Sequence, residues 1–302
     1  MQRERIAEDT YVFTSDLYLE VTAGAILTPE GTVVIDTLPF PQETRQMREL
    51  LLKLSPAGVR YVLLTHSHGD HSYGSYLFPE AELIAHRRCR ELLQTVGRQA
   101  LRRAQAETPE LAEVEIRLPP MVFEEILTLR LGGKTIQAMY SPGHAPDLSV
   151  VYVREDRILF GSDTVMPVPY IVGGNIPALI NSLRLLRELP TEAIVQGHGR
   201  VLLRGEVRET LDSSIKYLQN IVHIAREKAE ARAPRRELLK VDIEACGKSR
   251  IPLDGLVQRL HQTNLLYLYD RYRAELERHE SSSGNANPGL HPPEQRQTTN
   301  DE

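Results

Sequence analysis

The chain predicts an α/β fold, one body with helices packed outside two sheets and a helical segment following it. Three observations carry this. Strand-like apolar runs alternate with helical ones over the first half, a second strand-rich region begins near residue 127, and the carboxy-terminal third has helical periodicity.

Element by element, residues 11–13, 25–27 and 32–36 read as short strands and 41–54 as an amphipathic helix. Residues 61–64, Tyr-Val-Leu-Leu, form a buried strand, and 83–85 a further short one. A charged, Arg-rich helical stretch runs from 87 to about 112, placed to lie over whatever the preceding strand presents. Strands at 127–131, 135–140, 149–153 and 158–160 are separated by turn signals such as Gly132-Gly133 and Glu155-Asp156. Residues 181–189 read as a helix and 193–196 as a strand. From 205 to 280 two or three helices follow, with Leu211, Ile215, Leu218, Ile221, Val222 and Ala225 spaced for one buried face. The expected organisation is a body over 1–205, a helical extension packed on it over 206–280, and a disordered polar tail over 281–302.

With 41% hydrophobic and 25% charged residues in 302, a core is available without disulfides. A net charge of −5 argues against nucleic acid, whose binding rests on Lys and Arg, and favours a small-molecule partner. Two cysteines, Cys89 and Cys246, lie in no metal-ligand spacing and fit a reducing, cytoplasmic setting. No window of about 18 apolar residues suggests a membrane span.

The chemistry concentrates in Thr65-His66-Ser67-His68-Gly69-Asp70-His71, directly after a strand. Imidazole and carboxylate are the ligands of zinc and related divalent ions, and a strand end feeding a tight turn can aim several at one point. Three later segments share a form, a strand followed by a ligand-type residue beside glycine: Gly143-His144, Gly161-Ser162-Asp163 and Gly197-His198. Each alone is usually an ordinary turn. Together they place ligand types at strand carboxyl ends, where open α/β sheets gather their binding groups. His86, His223, His261 and His279 have no such company and read as structural.

His66-x-His68-x-Asp70-His71 with His144, Asp163 and His198 resembles the metallo-β-lactamase superfamily, in its binuclear hydrolase branch with glyoxalase II and the lactonases. The resemblance covers roughly residues 10–205. It implies an αββα sandwich with two divalent ions, zinc first with iron or manganese as alternatives. One ion would take His66, His68 and His144, the other Asp70, His71 and His198, with Asp163 bridging. A metal-bridging hydroxide would attack a small ester, thioester or lactone. Flavodiiron proteins of this kind usually carry Glu where this chain has His68, RNA-processing members insert a further domain, and the best-known β-lactamases replace the bridging Asp by Cys or Ser. Alternatives are an iron-dependent persulfide dioxygenase using only His66, His68 and His144, a β-lactam hydrolase, or a non-catalytic metal-stabilised protein; dimerisation through the helical third stays open.

Asp70 is the expected proton carrier and Tyr170, in the loop after Asp163, a hydroxyl donor to a carbonyl, against the plainer reading of a half-buried loop aromatic. Asn175 is a weaker candidate for substrate contact. Thr65, Ser67, Asp147 and Ser149 are near enough in sequence to orient ligand histidines. The Arg-rich stretch would attract anionic substrates unless it is simply a solvated face.

Overall fold

A computed structural model describes residues 1–284. Its first sheet holds, in spatial order, β1 (Gln2–Ala7), β2 (Thr10–Thr14), β3 (Thr22–Ile26), β4 (Thr32–Ile35), β5 (Val59–Leu64), β6 (Glu82–His86) and β7 (Met121–Phe123). β1 to β4 form an antiparallel meander and β4 to β7 run parallel. Parallel neighbours need crossovers, and here they carry α1 (Pro41–Leu54), the single turn α2 (Gly69–Ser72), and the pair α3 (Arg87–Leu92) and α4 (Arg98–Glu107).

The second sheet has the order β13 (Leu202–Leu203), β12 (Ala193–Gln196), β11 (Ile158–Ser162), β10 (Ser149–Val153), β9 (Lys134–Tyr140), β8 (Ile126–Leu131). All its pairings are antiparallel except β11 with β12, which are joined across α5 (Ile176–Arg187). Helices α6 (Arg204–Glu230) and α7 (Val257–Gly284) follow.

Why the central strands read as unbroken apolar runs is clear from their two faces. On β4, Val33 and Ile35 face the core between the sheets while Val34 faces the helices outside. On β10, Val151 and Val153 point to that same inner core, and Val150 and Tyr152 to the outer layer of α5, α6 and α7. Both sheets are therefore covered on both sides, and the layers run helix, sheet, sheet, helix. Helices α6 and α7 share one buried cluster with α5 and the outer face of the second sheet, with Leu211, Leu218, Ile221 and Ala225 buried as their spacing requires.

Several elements differ from the sequence expectation. Strand β1 is absent from it because Gln-Arg-Glu-Arg shows no apolar face; the strand lies at the sheet's edge with four exposed residues. Short β7 and β13 were likewise unsignalled. Helix α5 starts at Ile176, before 181, because Asn175 caps it by accepting from the Ala178 N–H at 3.0 Å and Pro177 suits the first turn. The stretch expected as one helix over 87–112 contains a π-helical segment at Leu93–Gly97 and ends at Glu107. Helix α7 continues through Gly284, and the rest of the expected tail, 285–302, lies outside the described residues. Among the described residues Cys89 and Cys246 are unpaired and buried, and no helix is long and apolar enough to cross a membrane.

Between α6 and α7 a lysine is buried without a carboxylate in reach among the described residues. Lys248 donates from Nζ to the Oγ of Ser213 at 3.0 Å and of Ser214 at 2.8 Å, and burial lowers its pKa to about 8. Its folded-state pKa lies below the unfolded one, so the unfolded chain binds the extra proton. The penalty is complete below about pH 8 and fades as pH rises toward the ordinary value of 10.5. Lys248→Met should therefore stabilise the protein by about 2 kcal/mol at pH 7, with the difference from the parent shrinking between those two pH values. Paired thermal melts across that range measure it; a pH-independent difference would contradict the assignment.

Candidate metal centre

Each ligand-type residue picked out in the sequence stands just past the carboxyl end of a strand, and the strands converge on one cleft. β5 delivers Thr65 and His66, β9 the turn with His144, β11 Ser162 and Asp163, and β12 the Gly197-His198 pair. His68 immediately precedes α2, whose first turn carries Asp70 and His71. Two glycines act as spacers here. A Cβ on Gly197 would meet Asp163 Oδ1 at 1.9 Å, and one on Gly143, at φ +150°, would meet the Leu179 backbone at 2.4 Å. The first glycine gives the carboxylate room beside the His198 turn; the second lets the His144 turn press against α5.

The seven side chains form two groups, His66, His68, His144 with Asp163, and Asp70, His71, His198. Asp163 joins them. Its Oδ2 lies 3.2 Å from His144 Nε2 and 3.9 Å from His66 Nε2, while Oδ1 lies 3.2 Å from His71 Nε2 and 3.7 Å from His198 Nε2. His68 Nδ1 comes within 3.2 Å of His144 Nε2, and Asp70 Oδ2 within 3.4 Å of His198 Nε2.

Four histidines are aimed by a bond from their second nitrogen, in the tautomer that leaves the inward nitrogen as a ligand. His66 Nδ1–H donates to Thr65 Oγ1 (3.1 Å), His71 Nδ1–H to Asp36 Oδ2 (2.9 Å), His144 Nδ1–H to the Tyr170 carbonyl (3.0 Å) and His198 Nδ1–H to the Leu19 carbonyl (2.9 Å). Of the expected orienting residues, Thr65 serves directly. Asp147 acts on the loop, accepting from the Ser67 N–H at 2.8 Å, whereas Ser149 Oγ is buried without a hydrogen-bond partner.

Asp36 was missed. It follows β4, turned inward at φ +57°, and accepts from the Thr65 N–H and Oγ1–H as well as from His71, all at 2.8–2.9 Å. Nothing local in Ile-Asp-Thr marks it as an acceptor for a residue 35 positions on.

Charge follows this geometry. Burial works against ionised His66 and His144 and lowers both, with neighbouring imidazoles adding to it at His66. At His71 and His198 burial is outweighed by Asp163 and Asp70, and the pKa rises. Burial also opposes the Asp70 carboxylate, but His71 and His198 lower its pKa to about 2; Asp163 is pushed well below the usual range by the same two and His144.

The arrangement therefore demands positive charge at its centre. His66 Nε2, His71 Nε2 and Asp163 Oδ1 are buried with no hydrogen-bond partner, the 3.2 Å approach of the last two being misaligned for one. Leaving such atoms unpaired costs about 1–3 kcal/mol each, and divalent cations would meet all three. The residues present fit the metals that the sequence implies.

The surroundings sort the remaining candidates. Tyr170 and Asp70 line the cavity over the centre, about 550 Å³, together with Tyr18 and Tyr73, which the sequence did not single out. Burial raises the Tyr170 hydroxyl, and burial with Asp70 and Asp163 pushes Tyr18 up to about 12, so both are protonated donors at neutral pH. Asn175 is occupied as the α5 cap. His86, stacked on Tyr140, and His261, bonded to Tyr217 and the Val241 carbonyl, sit apart from the centre.

Asp36→Asn turns an acceptor into a donor facing His71 Nδ1–H. It should weaken metal retention by the Asp70–His71–His198 group about 10- to 100-fold, and that by the His66–His68–His144 group less, since Asp36 reaches His66 only through Thr65 Oγ1. Competition against a chromophoric chelator measures both steps, and equal weakening of the two groups would refute a selective role for Asp36.

Comparison with known proteins agrees with this geometry. Residues 19–198 match the family described as the Metallo-beta-lactamase superfamily. A lactamase-like protein from Emericella nidulans is 28% identical over 207 residues, 68% of this chain and 60% of that protein. A hydroxyacylglutathione hydrolase from Rhodopseudomonas palustris is 32% identical over 133 residues, 43% and 44% of the two chains. An atrochrysone carboxyl ACP thioesterase from Aspergillus chevalieri is 24% identical over 203 residues, 67% and 54%. The chain thus spans between 44% and 60% of the length of these curated relatives. A metallo-beta-lactamase family protein from Thermus thermophilus shares the fold at a TM-score of 0.64 and 18% identity, over 92% of this chain and 95% of that one. A family match across more than half of the sequence, ending on a residue of the cleft itself, settles the affiliation: the chain belongs to the metallo-β-lactamase superfamily.

Proposed function

We propose that the protein is a binuclear metal-dependent hydrolase of a small ester, thioester or lactone. The observation that carries this reading is the Asp163 carboxylate shared between two ligand groups, one oxygen toward each. Relatives named as a thioesterase and a hydroxyacylglutathione hydrolase support cleavage of an acyl bond. The second group, Asp70, His71 and His198, is more than a single iron held by three histidines needs, and weighs against sulfur oxidation.

Divalent ions held there, zinc in our reading, supply an acidified water and polarise a carbonyl oxygen. The protein's own groups do the rest. Asp70, a carboxylate throughout the neutral range and 18% exposed at its side chain, takes the proton of the attacking water as its oxygen bonds to the carbonyl carbon. The Tyr170 hydroxyl donates to the carbonyl oxygen as charge develops on it. Asp70 then returns the proton to the departing alkoxide or thiolate. The unpaired buried thiols of Cys89 and Cys246 support a reducing, cytoplasmic setting.

Elemental analysis paired with hydrolysis of a thioester, a lactone and a phosphodiester before and after chelation tests the reading. Two ions per chain and chelator-sensitive cleavage of the acyl substrates are expected; one iron and no hydrolysis would sink it. Asp70→Asn should lower kcat about 10²- to 10⁴-fold and Tyr170→Phe about 10²-fold.

A further inference from the structure

The cavity over the metal centre has a polar floor and apolar walls. Leu92, Val96 and Ala100 stand at four-residue intervals along α3, the π-helical segment and α4, and all three face it. Leu253 and Leu260 reach the same space from the carboxy-terminal third. Leu253 does so from a backbone turn in which it and Asp254 both hold positive φ, +54° and +50°, a conformation that costs free energy for residues with a Cβ. Val96, a branched apolar side chain, is 59% exposed among the described residues.

Apart from the divalent ions its floor would hold, charge in the cavity is one-sided. Its ionisable lining residues are the carboxylates Asp70, Asp147 and Asp163, the imidazoles of His68, His144 and His198, and tyrosine hydroxyls; among the described residues no Lys or Arg lines it. Three arginines of the Arg-rich stretch are engaged elsewhere, and its exposed Arg98, Arg102 and Arg103 are not among the lining residues. Arg87 pairs with Glu124, Arg88 donates to the Tyr140 hydroxyl and the Pro146 carbonyl, and Arg90 bonds the Pro119 carbonyl. The helix that reads in sequence as an attractor of anions presents its apolar stripe to the substrate instead. A carrier thiol bearing its own carboxylates would set them against hydrocarbon without a cationic partner, which desolvation penalises.

We infer that this cavity binds the neutral aliphatic acyl group of the substrate and discriminates against short polar acyl groups on polyanionic thiols. The inference rests on the hydrolase reading for its catalytic consequence, while the binding it requires belongs to the walls alone. Burial of each further methylene against Leu92, Val96, Leu253 and Leu260 should raise kcat/KM about four-fold until the cavity is full.

Two measurements test it. The first is kcat/KM of the metal-loaded protein on straight-chain p-nitrophenyl esters from acetyl to octanoyl, with a hydroxyacylglutathione alongside. The second is calorimetric titration of the metal-free protein with neutral straight-chain amides from butanamide to octanamide. Both series should climb with chain length, the octanoyl ester should outrun the glutathione thioester, and Val96→Asp should flatten both climbs where Val96→Ile keeps them. Flat series, or preference for the glutathione thioester, overturn the apolar site and leave the hydrolase reading intact. Amide binding that tightens with length, with cleavage of no ester, supports the apolar site and overturns the hydrolase reading.

Discussion

A carboxylate only 3% exposed holds the two halves of this protein in register. Buried charge is tolerable only where the surroundings answer it, and Asp163 is answered from the loops that follow β5, β9 and β12. Those loops come from both sheets, so the cleft cannot open or shift without unpairing it. Much local detail serves that one side chain. Ser162 takes a positive φ of +44° to turn the chain after β11, and its hydroxyl meets Thr65 Oγ1 at 2.8 Å across the cleft. Thr65 in turn links Asp36 and His66, so a single hydroxyl network reaches both ligand groups.

The rigid part of the machine is the sandwich, and the adaptable part is what lies over it. The candidate ligands stand at strand ends whose backbones are locked by sheet pairing, whereas the cavity walls come from an interrupted helix, from the segment before α7 and from the first turns of α7. In the proposed hydrolase one scaffold would keep its metal chemistry while its walls set which acyl group is accepted. The carboxy-terminal helices are more than an appendage in this respect. They complete the outer layer on the second sheet and also supply Leu253 and Leu260 to the site.

The parts of the fold legible in the sequence were those buried on both faces. Strands such as β4, β5 and β10 must be continuously apolar, and that run survives in one dimension. Edges escaped notice because an exposed strand has no such obligation: the charged Gln-Arg-Glu-Arg of β1 takes its conformation from pairing with β2. The π-helical segment at Leu93–Gly97 escaped for a related reason, since a shift from one hydrogen-bond register to the next leaves composition unchanged.

At the site the division is similar. The sequence alone determined the candidate ligands, because His66, His68, Asp70 and His71 are crowded within six positions and His144, Asp163 and His198 each follow a strand beside glycine. Only the tertiary structure decided which carboxylate oxygen faces which histidine, that Asp36 rather than a near neighbour orients His71, and that the Arg-rich helix shows the cavity Leu92 and Val96. Each depends on contacts between segments far apart in the chain, or on the rotation of a helix about its own axis. Such facts are settled when the layers pack, and local residue order carries no record of them.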